Sequence, residues 1–391
     1  MTRIVNQSLP QFHQLLDQLV SLPSVSSAIP SVDMSNRPVV EQLANWLEAL
    51  GFDVAIKEVI SSPGKVNLVA RRRAKKGAIE GGLLFSGHTD TVPWDENRWS
   101  SDPFKVVEKE NRLYGLGATD MKGFFPVLIE TLRNIDLDAV TAPITVVATA
   151  DEESSMSGAR SLLEEGVKLA DFAIIGEPTN LIPIRMHKGI MMESIHIQGQ
   201  SGHSSDPSLG KNALEVMHDV ITELREYRKS LQRKYQHNGF TIPVPTLNLG
   251  CIHGGDNPNR ICGSCELQFD LRPVPGMEAD TLRAEIKRRL EKIEDRTTAK
   301  ISLSSLFPGI DPFEQPENSI LVSAAETFSE NRSDSVAYAT EAPFFQKLGI
   351  ETIVLGAGSI DQAHQPDEYL PLNQIKPATK LYTQFIRRFC G

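Results

Sequence analysis

The 391-residue chain is short of cysteine, of long apolar runs, of net positive charge and of phosphate-binding motifs, and each shortage excludes something. Cys251, Cys262, Cys265 and Cys390 are too few and too unevenly spaced for a disulfide framework. Cys262 and Cys265 form a CxxC, but a zinc knuckle needs a second such pair, and "RICGSCELQFDLRP" reads more simply as a strand. No apolar run approaches the roughly 20 residues of a membrane span. The first residues hold no apolar signal core and the final "FCG" is no prenylation box, so a cytoplasmic protein without membrane contact is expected. A net charge of −10 argues against nucleic-acid binding and, weakly, suits a cationic substrate. The one basic cluster, "ARRRAKKG" at 70–77, lies between strand-like segments and reads as a solvated hairpin. Gly115, Gly117, Gly254 and Gly255 belong to neither a Walker motif nor a full GxGxxG, which sets a phosphate-binding enzyme aside.

What is present is patterned. The length exceeds the usual single-core limit, so two domains are expected. Phe12, Leu15, Leu16, Leu19 and Val20 recur at helical spacing, as do Val40, Leu43, Leu47 and Leu50 ahead of Gly51. Strands are predicted at 52–59, 67–71, 83–86, 144–150, 172–175 and 352–358, with helices at about 123–135 and 374–389. From Ile184 the texture changes to a sheet with one wet face, in the order β-α-β-β-α-β: strands near 184–198, 244–252 and 266–272, helices at about 212–233 and 280–293, then "KISLSSL". The expected architecture is an α/β domain with a mixed central sheet flanked by helices, over 1–183 and 304–391. A ferredoxin-like α+β domain is inserted over 184–303.

The chemistry sits just after the buried strands, where α/β proteins usually place ligands. "LLFSG" runs into His88 and Asp90; "ITVVATA" runs into Asp151, Glu152 and Glu153; "FAIIG" runs into Glu177; "TIVLGAGSIDQA" leads to His364. Asp120 arrives in a glycine-punctuated segment just before a helix. Alone, each has a plain alternative: an N-cap for Asp120, an acidic helix turn for Glu152 and Glu153, a loop histidine for His364. Together at one sheet edge they point to one site. Several carboxylates packed together repel unless a cation sits among them. Two histidines with three or four carboxylates and no cysteine suit Zn²⁺, Co²⁺ or Mn²⁺, and so many ligands suit two ions with a carboxylate between them. On this reading His88 is a ligand and Asp90 orients it.

The segments "SGHTDTVP", "GLGATDMKG", "ATADEES", "IIGEPT", "GQSGHSS" and "GAGSIDQAHQPDEY" resemble the dinuclear metallopeptidase-type amidohydrolases of the aminoacylase and carboxypeptidase G2 superfamily, over nearly the whole length. Ala357 departs from the pattern, which has proline in that loop. The resemblance implies two divalent metal ions, zinc first with cobalt or manganese as alternatives. Asp120 bridges them, His88 and Glu177 complete one site, Glu153 and His364 complete the other, and Glu152 is the general base. It further implies a cis bond between Asp120 and Met121, and substrate-carboxylate recognition by Arg272 and Asn259. Its inserted domain dimerises, so a homodimer is expected, with His203 entering the partner's site to steady the oxyanion. The implied activity is removal of the acyl group from a small-molecule N-acyl amino acid, with N2-acetyl-L-ornithine the expected substrate, as in arginine biosynthesis. Succinyl-diaminopimelate, broader acyl amino acids and dipeptides are rivals on the same scaffold. A metal-dependent binding protein without catalysis has no need of Glu152.

Overall fold

The computed structural model describes residues 9–75, 80–95, 97–297 and 299–391. These form two compact units. The first comprises the chain up to Arg185 with Gln315–Asp334 and Thr340–Gly391; the second comprises Met186–Glu314 with Ser335–Ala339.

A mixed sheet runs through the first unit in the order Asp53–Glu58, Val66–Arg72, Ile144–Thr149, Leu83–His88, Phe172–Ile175, Glu351–Val354. The first two pairings are antiparallel and the next three parallel. Every residue of Leu83–His88 and Ile144–Thr149 is buried, as expected of parallel strands covered on both faces. The strand predicted to end at Ser86 continues to His88, because Gly87 and His88 still pair with Ala148 and Thr149. The strand predicted over 352–358 stops at Val354, and Gly358 turns the chain at φ +92°. The basic cluster is not the expected hairpin: the strands before and after it, Val66–Arg72 and Leu83–His88, lie on opposite sides of Ile144–Thr149 and do not pair with each other; residues 76–79 lie outside the described residues.

Helices Phe12–Val20, Arg37–Ala49, Phe124–Arg133 and Leu372–Phe389 match the apolar stripes of the sequence and close over this sheet. Aromatic rings join the layers: Phe85 and Phe124 meet Tyr382 edge-on, with centroids 5.3 and 6.0 Å away. The Tyr382 hydroxyl donates to the Leu355 carbonyl at 2.9 Å, which satisfies its buried polar end. Helices Ser157–Glu165, Ile320–Ser329 and Ala342–Lys347 were not foreseen, nor was a three-stranded sheet of Val107–Lys109, Arg112–Tyr114 and Tyr369–Pro371. That small sheet ties the segment after His364 to the segment before Asp120.

The second unit has the antiparallel sheet order Thr246–Gly254, Ser264–Arg272, Met191–Gln198, Lys300–Ser305, which is ferredoxin-like. Helices Ala213–Lys234 and Ala279–Thr297 bury Val220, Leu224, Ile286 and Leu290 in a core shared with Ile195, Ile197, Leu267 and Phe269. Cys262 and Cys265 are both buried, and the Cys262 thiol donates to the Ser264 carbonyl at 3.1 Å. The CxxC is thus part of a strand and its approach. Among the described residues no helix is long and apolar enough to cross a membrane.

Candidate metal centre

His88 is the last residue of its strand, and its ring is buried at one end of the sheet of the first unit. Its Nε2 lies 3.1 Å from Asp120 Oδ1 and 4.0 Å from Glu177 Oε1. Asp120 stands in the turn before helix Phe124–Arg133 and is joined to Met121 by a cis bond. Its other oxygen, Oδ2, lies 3.6 Å from His364 Nε2, which in turn is 2.9 Å from Glu153 Oε2. The donor atoms of His88, Asp120 and Glu177 all lie within 4.8 Å of one another, as do those of Asp120, Glu153 and His364. Asp120 is common to both groups.

Asp90 serves both sides. The His88 Nδ1 is 3.0 Å from its main-chain carbonyl and 3.5 Å from its Oδ1, and its Oδ2 accepts the Glu153 N–H at 3.1 Å. Glu152 belongs to neither donor group. Burial pushes its carboxyl well up, with the Glu177 charge adding to the effect. Burial raises Glu177 and Glu153 as well, and each also feels the Asp120 charge. For His88, burial favours the neutral ring, but hydrogen bonds to Asp120 and Asp90 override it and raise the pKa well above the ordinary value. His364 is pushed up to about 9, chiefly by its hydrogen bond to Glu153.

This donor set fits divalent cations. Glu153 Oε1 and Glu177 Oε1 are buried and accept no hydrogen bond, although an ionised carboxylate oxygen can only accept. Such orphans are costly beside further carboxylates, and a cation between them removes both the repulsion and the missing partner. Nitrogen and oxygen donors without thiolate match zinc, cobalt or manganese rather than a soft-metal site.

The other three expected site residues lie in the second unit. His203 is exposed, and its Nδ1 accepts from the Ser205 hydroxyl at 2.7 Å. Asn259 is exposed, and its carbonyl accepts the Ser204 N–H at 3.1 Å. Arg272 ends its strand with Nε 3.0 Å from Asp270 Oδ2.

Three buried charged residues beside the centre escaped the sequence reading. Glu341 accepts from the Thr149 hydroxyl at 2.9 Å, and burial pushes it up to about 7. Lys122 is fully buried and donates to the carbonyls of Leu19 and Leu22 at 3.1 and 2.7 Å; burial brings it down to about 7. Glu368 accepts three main-chain N–H groups, which favour its charged form. Lys122 and Glu368 lie inside "GLGATDMKG" and "GAGSIDQAHQPDEY", two of the segments that carry the family resemblance, and Glu341 stands just before the apolar run "APFF".

Two groups of candidate nitrogen and oxygen donors sharing one aspartate, at one end of an α/β sheet, match the pattern of a metal-dependent hydrolase. The chain belongs to peptidase family M20/M25/M40, whose profile matches residues 84–388. It is 47% identical over 382 residues to an acetylornithine deacetylase from Vibrio campbellii, covering 98% of this chain and 99% of that one. An acetylornithine deacetylase from Klebsiella pneumoniae is also 47% identical, over 99% of this chain and 100% of its own. Among solved structures, an M20 family metallo-carboxypeptidase from Sulfolobus solfataricus superposes with a TM-score of 0.76 at 18% identity, over 97% of this chain and 99% of that one. That likeness extends to the fold alone.

Proposed function

We propose that this chain hydrolyses N2-acetyl-L-ornithine to L-ornithine and acetate at a dinuclear metal centre. The observation that carries the reading is Asp120, shared between two donor groups while the neighbouring Glu152 is left out of both. The two acetylornithine deacetylases at 47% identity over nearly the full chain support the substrate.

Asp120 would bridge, with His88 and Glu177 on one ion and Glu153 and His364 on the other. Zinc is the expected metal, with cobalt or manganese able to use the same donors. Ions held there would supply Lewis acidity and lower the pKa of water towards about 7. Glu152 accepts the proton of the attacking water as the new C–O bond forms, then passes it to the nitrogen as the C–N bond breaks. Arg272 offers a rigid fork for the α-carboxylate, with Asn259 beside it in function. The chain works as a homodimer in the cytoplasm, and His203 of one protomer steadies the oxyanion in its partner's site.

Glu152→Ala should keep two metal ions per chain while kcat falls by about 10² or more, the usual share of a general base. Asp120→Ala should lose at least one ion. Metal analysis with steady-state kinetics separates the two. A metal-depleted Glu152→Ala would move Glu152 among the ligands, and an Asp120→Ala protein with both ions would remove the bridge.

A further inference from the structure

Glu368 lies four residues beyond His364 and is 2% exposed. Its Oε1 accepts the main-chain N–H of Thr119 at 2.7 Å and of Asp120 at 2.8 Å, and its Oε2 accepts that of Gly117 at 2.8 Å. Its own carbonyl accepts the Gly115 N–H at 3.0 Å. The next residue along, Tyr369, takes the Thr119 hydroxyl on its carbonyl and pairs with Tyr114 across the small sheet. One short segment therefore carries His364 and grips, through a buried carboxylate, the turn that carries Asp120. Three N–H groups converging on one acidic side chain make a concave cradle that only an acceptor can fill. With the acceptor gone, those donors face a buried void, and the Asp120 main chain loses the contact that sets its distance from His364.

We propose that Glu368 is a positioning residue: its carboxylate locks the Asp120 turn to the His364 segment and so pre-sets the spacing of the two metal sites. The inference rests on the metal reading above. Outer groups that orient ligands are commonly worth 10–100-fold in metal affinity. Glu368→Ala removes all three acceptors. Glu368→Gln keeps the shape and one oxygen but sets an amide donor against at least one N–H, so it should fall between Ala and wild type.

Two measurements test this on the full-length protein. Amide hydrogen exchange of the metal-free form reads the clamp itself. The 115–122 segment should be protected in wild type, partly in Glu368→Gln and least in Glu368→Ala, with the Phe124–Arg133 helix unchanged. Titration of the same proteins with Co²⁺, followed by absorption, should give at least tenfold weaker binding and an altered spectrum in Glu368→Ala, and intermediate affinity in Glu368→Gln. Wild-type exchange in 115–122 for a folded variant, or wild-type Co²⁺ affinity and spectrum in Glu368→Gln, would overturn the proposal. A wild-type protein that binds no Co²⁺ would overturn the metal reading instead, while the exchange result would still decide the clamp.

Discussion

At the residue scale, the molecule uses buried ionisable groups in three ways. Around the candidate centre, Asp120, Glu153 and Glu177 are crowded together; elsewhere, some are ion-paired, as Lys65 is with Asp151 at 2.9 Å and Glu193 with Arg283 at 2.8 Å, and some are neutral parts of the core. His187 is of the last kind. It is fully buried, its Nδ1–H donates to the Lys188 carbonyl at 2.8 Å, and its ring tilts against Phe313 at 5.4 Å. Burial brings its pKa down from 6.5 to about 4. The unfolded chain therefore takes up a proton that the folded chain refuses, so its contribution is complete above pH 6.5 and is lost as pH falls towards 4. Between pH 7 and pH 5 that loss is about 2 kcal/mol. Denaturant unfolding of His187→Asn, which keeps a donor for Lys188, should show an acid-induced loss of stability smaller than wild type by about that amount. Equal losses would place the proton elsewhere. The residues of the two candidate donor groups could be picked out in the sequence because each follows a recognisable buried strand or stands just ahead of a helix. Glu341, Lys122 and Glu368 were not legible, since what makes them unusual is burial in loops, and a loop charge ordinarily signals solvent.

At the element scale, the strand carboxyl ends explain why the site is where it is. Leu83–His88, Ile144–Thr149 and Phe172–Ile175 run parallel, so the residues that follow them emerge at one edge. Helix Phe124–Arg133 packs hard beneath that edge. A Cβ on Gly176 would stand 2.1 Å from Phe124 Cδ2, and one on Gly87 would stand 2.7 Å from Phe124 Cδ1. Both glycines precede a candidate ligand, Glu177 and His88, and let the helix approach closely enough to set Asp120 between them. Gly176→Ala should cost about 1–3 kcal/mol through overpacking, measured by thermal or denaturant unfolding. It should weaken metal binding at the same time; unchanged stability would show that Phe124 has room to move. Periodicity located the long helices to within a few residues, because their apolar faces are continuous. It missed Ser157–Glu165 and Ala342–Lys347, which are short and lie beside polar site loops, and it misplaced strand ends where pairing with a neighbour, rather than side-chain pattern, decides the last residue.

At the scale of the whole molecule, the change of texture after Ile184 marked the ferredoxin-like element order, since alternation replaces continuous apolar runs there; the strand expected over 184–198 is in fact two, Ile184–His187 in the large sheet and Met191–Gln198 in the smaller one. Periodicity says nothing of association between chains, because an interface is written in the surface positions that it ignores. The proposed dimer is tested by mixing Glu152→Ala with His203→Ala protomers. Each parent lacks a different part, so a verified mixed dimer should regain one working site if the histidine acts across the interface. No recovery would return His203 to its own subunit or remove it from catalysis, where loss of an oxyanion donor costs about 10²–10³ in kcat. The central claim is the reaction itself. Its most direct test is kcat/KM for metal-loaded enzyme on N2-acetyl-L-ornithine, succinyl-diaminopimelate and N-acetyl-methionine, with the chelated protein as blank. The account predicts that acetylornithine is the preferred substrate and that chelation abolishes turnover until Zn²⁺ or Co²⁺ is restored; a strong preference for the succinylated compound, or full activity without metal, would contradict it.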